Sequence, residues 1–250
     1  MTQILGFTGR KLAGKDTACN FILAVKLAEL GVCKSSRLGA DGTLEVTDVF
    51  DEKVPDKEWF AFSPPYVNTD SLFEDGLGDS VRVYAFAQKL KEFSIDLFNL
   101  DPKLVFGTDK DKNKKTDLLW KNMPTDTQKK GRMSIREVLQ YVGTDLFRKM
   151  SNNIWVDNCL NQIAHDSPKI ALISDVRFEN EVSAIQEAGG YVVGLTRCNS
   201  SNDTHDSETG VERCLKLCDA IIDNEELTIP EQNEQIYNTT KHLNIFPTME

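Results

Sequence analysis

Short apolar runs alternate along this chain with longer stretches in which apolar residues recur every three or four positions. The first pattern predicts buried strands and the second predicts amphipathic helices. Gln3 to Thr8 is such a run, Gly9 to Gly14 a loop, and Lys15 to Leu30 a helix with Phe21, Ile22, Val25 and Leu27 at near-helical spacing, closed by Gly31. Arg37 to Phe50 reads as a hairpin turning at Asp41-Gly42. Val81 to Phe86 is a second core strand, followed by a helix from about Ala87 to Leu100. Ser134-Ile135-Arg136-Glu137 is a capping box, so a helix opens there and runs to Met150. Ile154 to His165 is another helix, Lys169 to Ser174 a strand, and Glu179 to Ala188 a helix closed by Gly189-Gly190. Tyr191 to Thr196 and Ala220 to Ile222 are strands, and Pro230 opens a last helix.

This alternation predicts an α/β fold: a parallel sheet with helices on both faces. The pattern is broken twice. Asp51 to Ser80 is acidic, carries Pro55, Pro64 and Pro65, and has no period, so residues 33–80 read as an excursion from the main fold. Thr108 to Met133 is polar, with charge runs at Asp109 to Lys115 and Lys129 to Arg132. It is expected to be a solvated loop or a mobile segment that closes over phosphate. With no internal repeat, residues 1–250 read as one domain.

Composition narrows the class. The chain is 40% hydrophobic, enough for a core, and no apolar run reaches the length of a membrane span. Its start, MTQILGFTGR, lacks the features of a signal peptide. A net charge of −10 argues against broad nucleic-acid binding, although a local Arg and Lys cluster can still hold an anionic small molecule. Six scattered cysteines fit reduced thiols in a cytoplasmic protein. The sequons at Asn202 and Asn238 read as chance.

Gly9-Arg10-Lys11-Leu12-Ala13-Gly14-Lys15 lies between a strand and a helix, the context that a P-loop requires. Gly9, Leu12, Ala13 and Gly14 would turn backbone N–H groups toward phosphate, and Lys15 would reach the β- and γ-phosphates of ATP. Asp16 stands where Ser or Thr usually holds magnesium, and Thr17 follows. Either residue is a candidate Mg2+ ligand, or Asp16 caps the helix. Asp175 follows the core strand Lys169 to Ser174 and Arg177 lies two residues on, where ligands of open α/β sheets gather. A structural ion pair is the alternative for these two. A guanine-reading Asn-Lys-x-Asp segment is absent in register, since Asn113-Lys114-Lys115-Thr116-Asp117 has its acid one residue late. That counts against a regulatory switch.

At about 100° per residue, Ile135, Val138, Leu139, Val142 and Leu146 share one face of the 134–150 helix. Arg136, Gln140, Gly143, Thr144 and Arg148 share the other. Arginine forks suit phosphate oxygens, Gln140 suits a base edge, and a mid-helix glycine suits close approach by a ligand or a neighbouring helix. Trp155 is either a stacking platform for a base or a core residue.

Several motifs in order resemble the deoxynucleoside monophosphate kinases of tailed phages. They are Gly14-Lys15-Asp16-Thr17; Tyr84-Ala85-Phe86-Ala87 with Leu90-Lys91; Arg136, Leu139-Gln140, Gly143-Thr144-Asp145 and Arg148; Ile154-Trp155-Val156; Asp175-Val176-Arg177-Phe178 with Glu181; and Asn202-Asp203-Thr204-His205 with Glu208. The chain departs from the family at Gln88-Lys89, where many relatives carry Asp-Pro. The resemblance implies a P-loop kinase fold and a homodimer that uses ATP and Mg2+ to phosphorylate a deoxynucleoside monophosphate. In a phage-encoded protein the location would be the host cytoplasm. It also implies an acceptor site lined by Arg136, Gln140, Thr144, Arg148, Trp155, Arg177 and Glu181. Lys91 would join the two helix arginines on the acceptor phosphate, and Gly143 would allow close approach. Lys15, Arg136, Asp175 and Arg177 are the expected catalytic residues. Arg197 to Glu208 is expected near the adenine of the donor. A dephospho-coenzyme A kinase-like enzyme and a non-catalytic nucleotide switch remain the alternatives.

Overall fold

The computed structural model describes residues 2–47, 59–62, 77–125, 127–197 and 210–246. The expected end of the hairpin at 48–50, most of the acidic stretch 51–76 and the family motif at 202–208 lie outside the described residues.

The chain divides into two compact units, one formed by residues 1–85 with 160–250 and the other by residues 86–159. The first unit is built on a parallel sheet of β1 (Gln3–Gly9), β5 (Val81–Tyr84), β8 (Ile170–Val176), β9 (Tyr191–Leu195) and β10 (Ala220–Ile222). The strands run in the order β10-β9-β1-β8-β5, all pairs parallel. The first strand is therefore central, and the chain leaves it toward both sides. In such sheets a crevice opens beyond the carboxyl ends of the strands at that switch point.

Helix α1 (Lys15–Glu29) packs on this sheet through Ala18, Cys19, Ile22, Leu23 and Leu27, all at most 2% exposed. They meet Leu5, Phe7, Leu172, Val193 and Leu195 in one core cluster. Each such aliphatic side chain contributes about 1.5–3 kcal/mol on burial. The expected stripe was slightly misplaced: Phe21 lies at its edge, against Phe246. The remaining helices of this unit include α8 (Glu179–Glu187), α9 (Val211–Leu217) and α10 (Ile229–Thr240). Thr228 and Glu231 form a reciprocal capping box at the start of α10, with Pro230 in its first turn.

The predicted hairpin is β2 (Ser36–Leu38) with β3 (Leu44–Thr47), but the connection spans 39–43 rather than two residues. Asp41 accepts from the Thr43 N–H inside that longer turn. A third strand, β4 (Trp59–Ala61), pairs with β3 in the stretch that showed no period. The described part of 33–80, which ends in the short helix α2 (Leu77–Ser80), belongs to the first unit.

The second unit carries α3 (Gln88–Phe98), α4 (Pro102–Val105), α5 (Asp109–Lys112), β6 (Lys115–Leu119), β7 (Arg132–Ser134) and α6 (Ile135–Gln140). Residues 108–133 thus hold regular elements where one of the two readings expects a solvated loop. Thr108 and Asp111 cap a helical turn, and β6 pairs antiparallel with β7. The ladder is short and its outer face is charged, so no apolar alternation announces it. Helix α7 (Ile154–Asp166) follows, its first residues in this unit.

Candidate functional site: a phosphate loop and an arginine-bearing helix

Strand β1 hands directly into the loop at Gly9. A Cβ at Gly9 would lie 2.6 Å from the Leu195 carbonyl oxygen, and one at Gly14, whose φ is +94°, 2.7 Å from Gln232 Oε1. Only glycine fits either position. Gly14 is also the N-cap of α1 and supplies no side-chain cap. This corrects the reading of Asp16 as the cap: Asp16 lies within the first turn and is exposed. A helix start whose N–H groups are not satisfied by a side chain suits an anion. Lys15 is 7% exposed and its ammonium donates to the Gly9 and Arg10 carbonyls, both at 2.8 Å. The cation is thereby folded along the loop.

The two candidate metal ligands differ. Thr17 is partly buried, and a Cβ on Gly42 of the hairpin turn would fall 2.1 Å from its hydroxyl oxygen. Asn20 ties the same turn down by donating to the Gly42 carbonyl at 3.0 Å. The turn therefore lies against Thr17 and leaves Asp16 exposed. Among the described residues no three His, Cys, Asp or Glu side chains gather where they could hold a metal ion. Mg2+ commonly takes one or two carboxylates and completes its shell with phosphate oxygens and water, and the exposed Asp16 carboxylate could serve as one of them.

Strand β8 runs beside β1 with Val176 opposite Thr8, which brings Asp175 and Arg177 to the start of the loop. Buried Cys19 reports the grouping. Its thiol is pushed well above the usual range by burial first, then by Asp16 and Asp175, with Lys15 acting the other way. Glu181 requires a correction. It is 2% exposed, and its carboxylate accepts the backbone N–H groups of Arg177 at 2.6 Å and Phe178 at 3.1 Å. It closes the first turn of α8 and fixes the backbone under Arg177, so this carboxylate is not presented to a sugar or base. Sequence reasoning also missed Asn224 and Gln232, both buried, which bond the carbonyls of Ala13 and Gly14. Neither residue belongs to a motif.

In the second unit the capping box forms as expected, with Ser134 N–H donating to Glu137 at 2.8 Å and Glu137 N–H donating to the Ser134 hydroxyl at 3.2 Å. The helix then changes character. From Tyr141 to Arg148 it is a π-helix. Its i→i+5 bonding widens the turn, so a wheel drawn at 100° per residue loses register after Gln140. Burial shows the consequence. Ile135, Val138 and Val142 are core, but so are Tyr141 and Gly143, while Leu139 and Leu146 are only partly buried.

Of the two readings of Gly143, close approach by a ligand or by a neighbouring helix, the second holds: a Cβ there would meet Cδ2 of Leu90, on α3, at 2.5 Å. Trp155, expected to stack on a base, is 7% exposed. Its indole N–H donates to the Gly143 carbonyl at 3.0 Å, and its ring packs on Phe147 at 5.5 Å between centroids. Both residues are therefore packing elements of this unit. Arg136 is partly buried, paired with Asp109 and donating to Asn113 Oδ1 at 3.3 Å. Arg148 donates to the Asn152 carbonyl at 3.1 Å, and the Lys91 ammonium lies 5.3 Å from the Phe106 ring centroid. Gln140 and Thr144 are partly buried.

No described helix is long and apolar enough to cross a membrane. Among the described residues Cys19, Cys33, Cys214 and Cys218 are free thiols. Of the segment expected near adenine, Arg197 is described and 198–208 lie outside the described residues.

Comparison with known proteins places these features. A family profile described as deoxynucleotide monophosphate kinase matches residues 83–235, more than half of the chain; the phosphate loop precedes that stretch. A protein of Acanthamoeba polyphaga mimivirus, provisionally named deoxynucleotide monophosphate kinase, is 33% identical over 165 residues, covering 61% of this chain and 79% of the relative. The deoxynucleoside-5'-monophosphate kinase of Escherichia phage T5 is 34% identical over 88 residues, covering 32% of this chain and 35% of the relative. The α/β fold with its parallel sheet agrees with a P-loop kinase. The chain belongs to the deoxynucleotide monophosphate kinase family, a family of phosphotransferases.

Proposed function

We propose that this enzyme transfers the γ-phosphate of ATP to a deoxynucleoside monophosphate, giving the deoxynucleoside diphosphate and ADP. One observation carries the reading: in a chain of this kinase family, a buried lysine lies along a glycine-bounded loop at the start of a helix, on the central strand of a parallel sheet.

Phosphoryl transfer asks the protein mainly for positioning and charge stabilisation. An acceptor phosphate oxygen attacks the γ-phosphorus, and the bond from that phosphorus to the β–γ bridging oxygen breaks. The acceptor phosphate has a second pKa of about 6, so it is largely ionised at neutral pH and needs no strong base. In this proposal Gly9 to Gly14 and Lys15 hold the donor phosphates. Arg177, fixed through Glu181, stabilises the charge on the group in transit. Asp175 orients Arg177 or the water around the metal. Mg2+, when bound, would neutralise charge on the phosphate oxygens, with Asp16 the better-exposed protein ligand and Thr17 the second. Arg136, Arg148 and Lys91 take the acceptor phosphate, and Gln140 and Thr144 read the nucleoside. For Arg136 this requires the acceptor phosphate to replace or share Asp109. The enzyme acts in the cytoplasm, the compartment its reduced cysteines suit, and as the homodimer that the family resemblance implies; sedimentation velocity tests the assembly.

Steady-state ADP formation tests the reaction itself, with dAMP, dGMP, dCMP, dTMP, their ribose counterparts and dephospho-coenzyme A as acceptors. Turnover on at least one deoxynucleoside monophosphate is expected. Turnover on dephospho-coenzyme A alone would contradict the proposal, as would ATP binding without turnover on any acceptor.

A further inference from the structure

We propose that Asn224 and Gln232 are positioning residues of the phosphate loop, joined in an amide relay that begins at the backbone of Arg197 and ends on the carbonyls of Ala13 and Gly14. The proposal rests on reading residues 9–15 as the donor-phosphate loop. Asn224 is 0% and Gln232 1% exposed, so the polar atoms of both must find partners inside the protein.

The relay has one self-consistent direction. The Arg197 backbone N–H can only donate, and it meets the Asn224 side chain at 2.8 Å. The Asn224 atom facing it must therefore be the oxygen. That turns the Asn224 nitrogen to the Ala13 carbonyl at 2.8 Å and to Gln232 Oε1 at 2.6 Å, using both of its hydrogens. With its oxygen occupied, Gln232 presents its nitrogen to the Gly14 carbonyl at 3.4 Å. Each side-chain amide nitrogen and oxygen in the series thus meets a partner. Asn224 is also held from behind, since the Arg197 guanidinium donates to its backbone carbonyl through Nε at 3.1 Å and Nη2 at 2.9 Å.

Peptide planarity gives these bonds a function. The Ala13 carbonyl and the Gly14 N–H belong to one trans peptide and point opposite ways; the Gly14 carbonyl and the Lys15 N–H belong to the next. Holding the two carbonyls therefore aims the two N–H groups at the end of the loop, where donor phosphate is expected. The contact also accounts for glycine at position 14, because a Cβ there would lie 2.7 Å from Gln232 Oε1.

The test titrates Mg-ATP calorimetrically into wild-type protein, Asn224→Ala and the shape-keeping Gln232→Met, with thermal unfolding measured without ligand. Asn224→Ala leaves the Ala13 carbonyl without its side-chain donor and should weaken ATP binding about tenfold. The KM for ATP should rise while the KM for the acceptor stays. Gln232→Met keeps the bond from Asn224 to Ala13 and should shift ATP affinity in the same direction by less. A folded Asn224→Ala with wild-type ATP affinity and only a lower Tm overturns the proposal and leaves the relay a fold element. If Asn224→Ala does not fold, Gln232→Met decides by the same criterion. A wild-type protein that binds no ATP removes the donor-loop reading and this proposal with it.

Discussion

The loop that follows β1 and the helix that follows Ser134 are both short segments loaded with candidate chemistry, yet they reward inference differently. In the loop, local covalent geometry decides most of the outcome. Gly14 takes a φ of +94°, which favours glycine, and Lys15 bonds carbonyls five and six residues before it. In the helix the chemistry depends on which face each residue takes, and the π segment from Tyr141 to Arg148 shifts those faces. A motif whose partners are adjacent in sequence survives the passage to three dimensions. A face drawn over several turns survives only if every turn keeps its pitch.

The sharpest way to break this contrast is at the lysine. Lys15→Ala should lower turnover by about 10³ or more, with a smaller change in ATP affinity, because its charge acts mainly on the transferring group. Steady-state kinetics with an independent ATP titration measures both. Near-normal turnover would remove the loop from the chemistry.

Trp155 tests the other region. As a core residue it should cost about 3–5 kcal/mol of stability when replaced by alanine, read from urea unfolding. In protein kept below its unfolding transition, acceptor KM values should hold. Trp155→Phe keeps a ring against Phe147 but loses the donor to the Gly143 carbonyl, so it should lie between. A variant of normal stability with every acceptor weakened alike would restore the base-stacking role.

The same contrast explains what the sequence revealed. The order of strands and helices was legible because short apolar runs and capping boxes act locally, as at Ser134-Glu137. The phosphate loop was legible for the same reason. The β6–β7 ladder was not, because its charged residues resemble a solvated loop. Glu181 stands at the acceptor site only through the family resemblance, and the backbone N–H groups of Arg177 and Phe178 take its carboxylate first. Asn224 and Gln232 were invisible because their partners at 13 and 14 lie more than two hundred positions earlier in the chain.

A smaller effect is expected at Arg136. Arg136→Ala should raise the acceptor KM about tenfold, the scale of a lost charge-assisted bond, and leave ATP affinity nearly intact. Loss of ATP affinity with acceptor affinity kept would reverse the assignment of the two segments.

The smallest expected effect is electrostatic and lies away from the proposed chemistry. Burial pushes the Asp166 carboxyl up, but bonds from His165, Tyr84 and Gln162 and the charge of Arg82 outweigh it and hold the pKa below the ordinary 3.8. A carboxylate lowered in this way stabilises the fold above its unfolded pKa, and that contribution disappears as pH falls through the folded value. Asp166→Asn should therefore cost about 1–3 kcal/mol at pH 7. The difference from wild type should shrink below about pH 4, as unfolding across a pH series would show. A difference independent of pH would assign the loss to packing.

The central claim is the transfer itself, and the most direct measurement follows the phosphate. ATP labelled at its γ-phosphate is incubated with Mg2+ and a deoxynucleoside monophosphate, and the products are separated by chromatography for wild-type protein and for Lys15→Ala. The account predicts label in the deoxynucleoside diphosphate with wild-type protein and about 10³ times less with the variant in the same time. Label released as inorganic phosphate, or retained on ATP with every deoxynucleoside monophosphate, would contradict it.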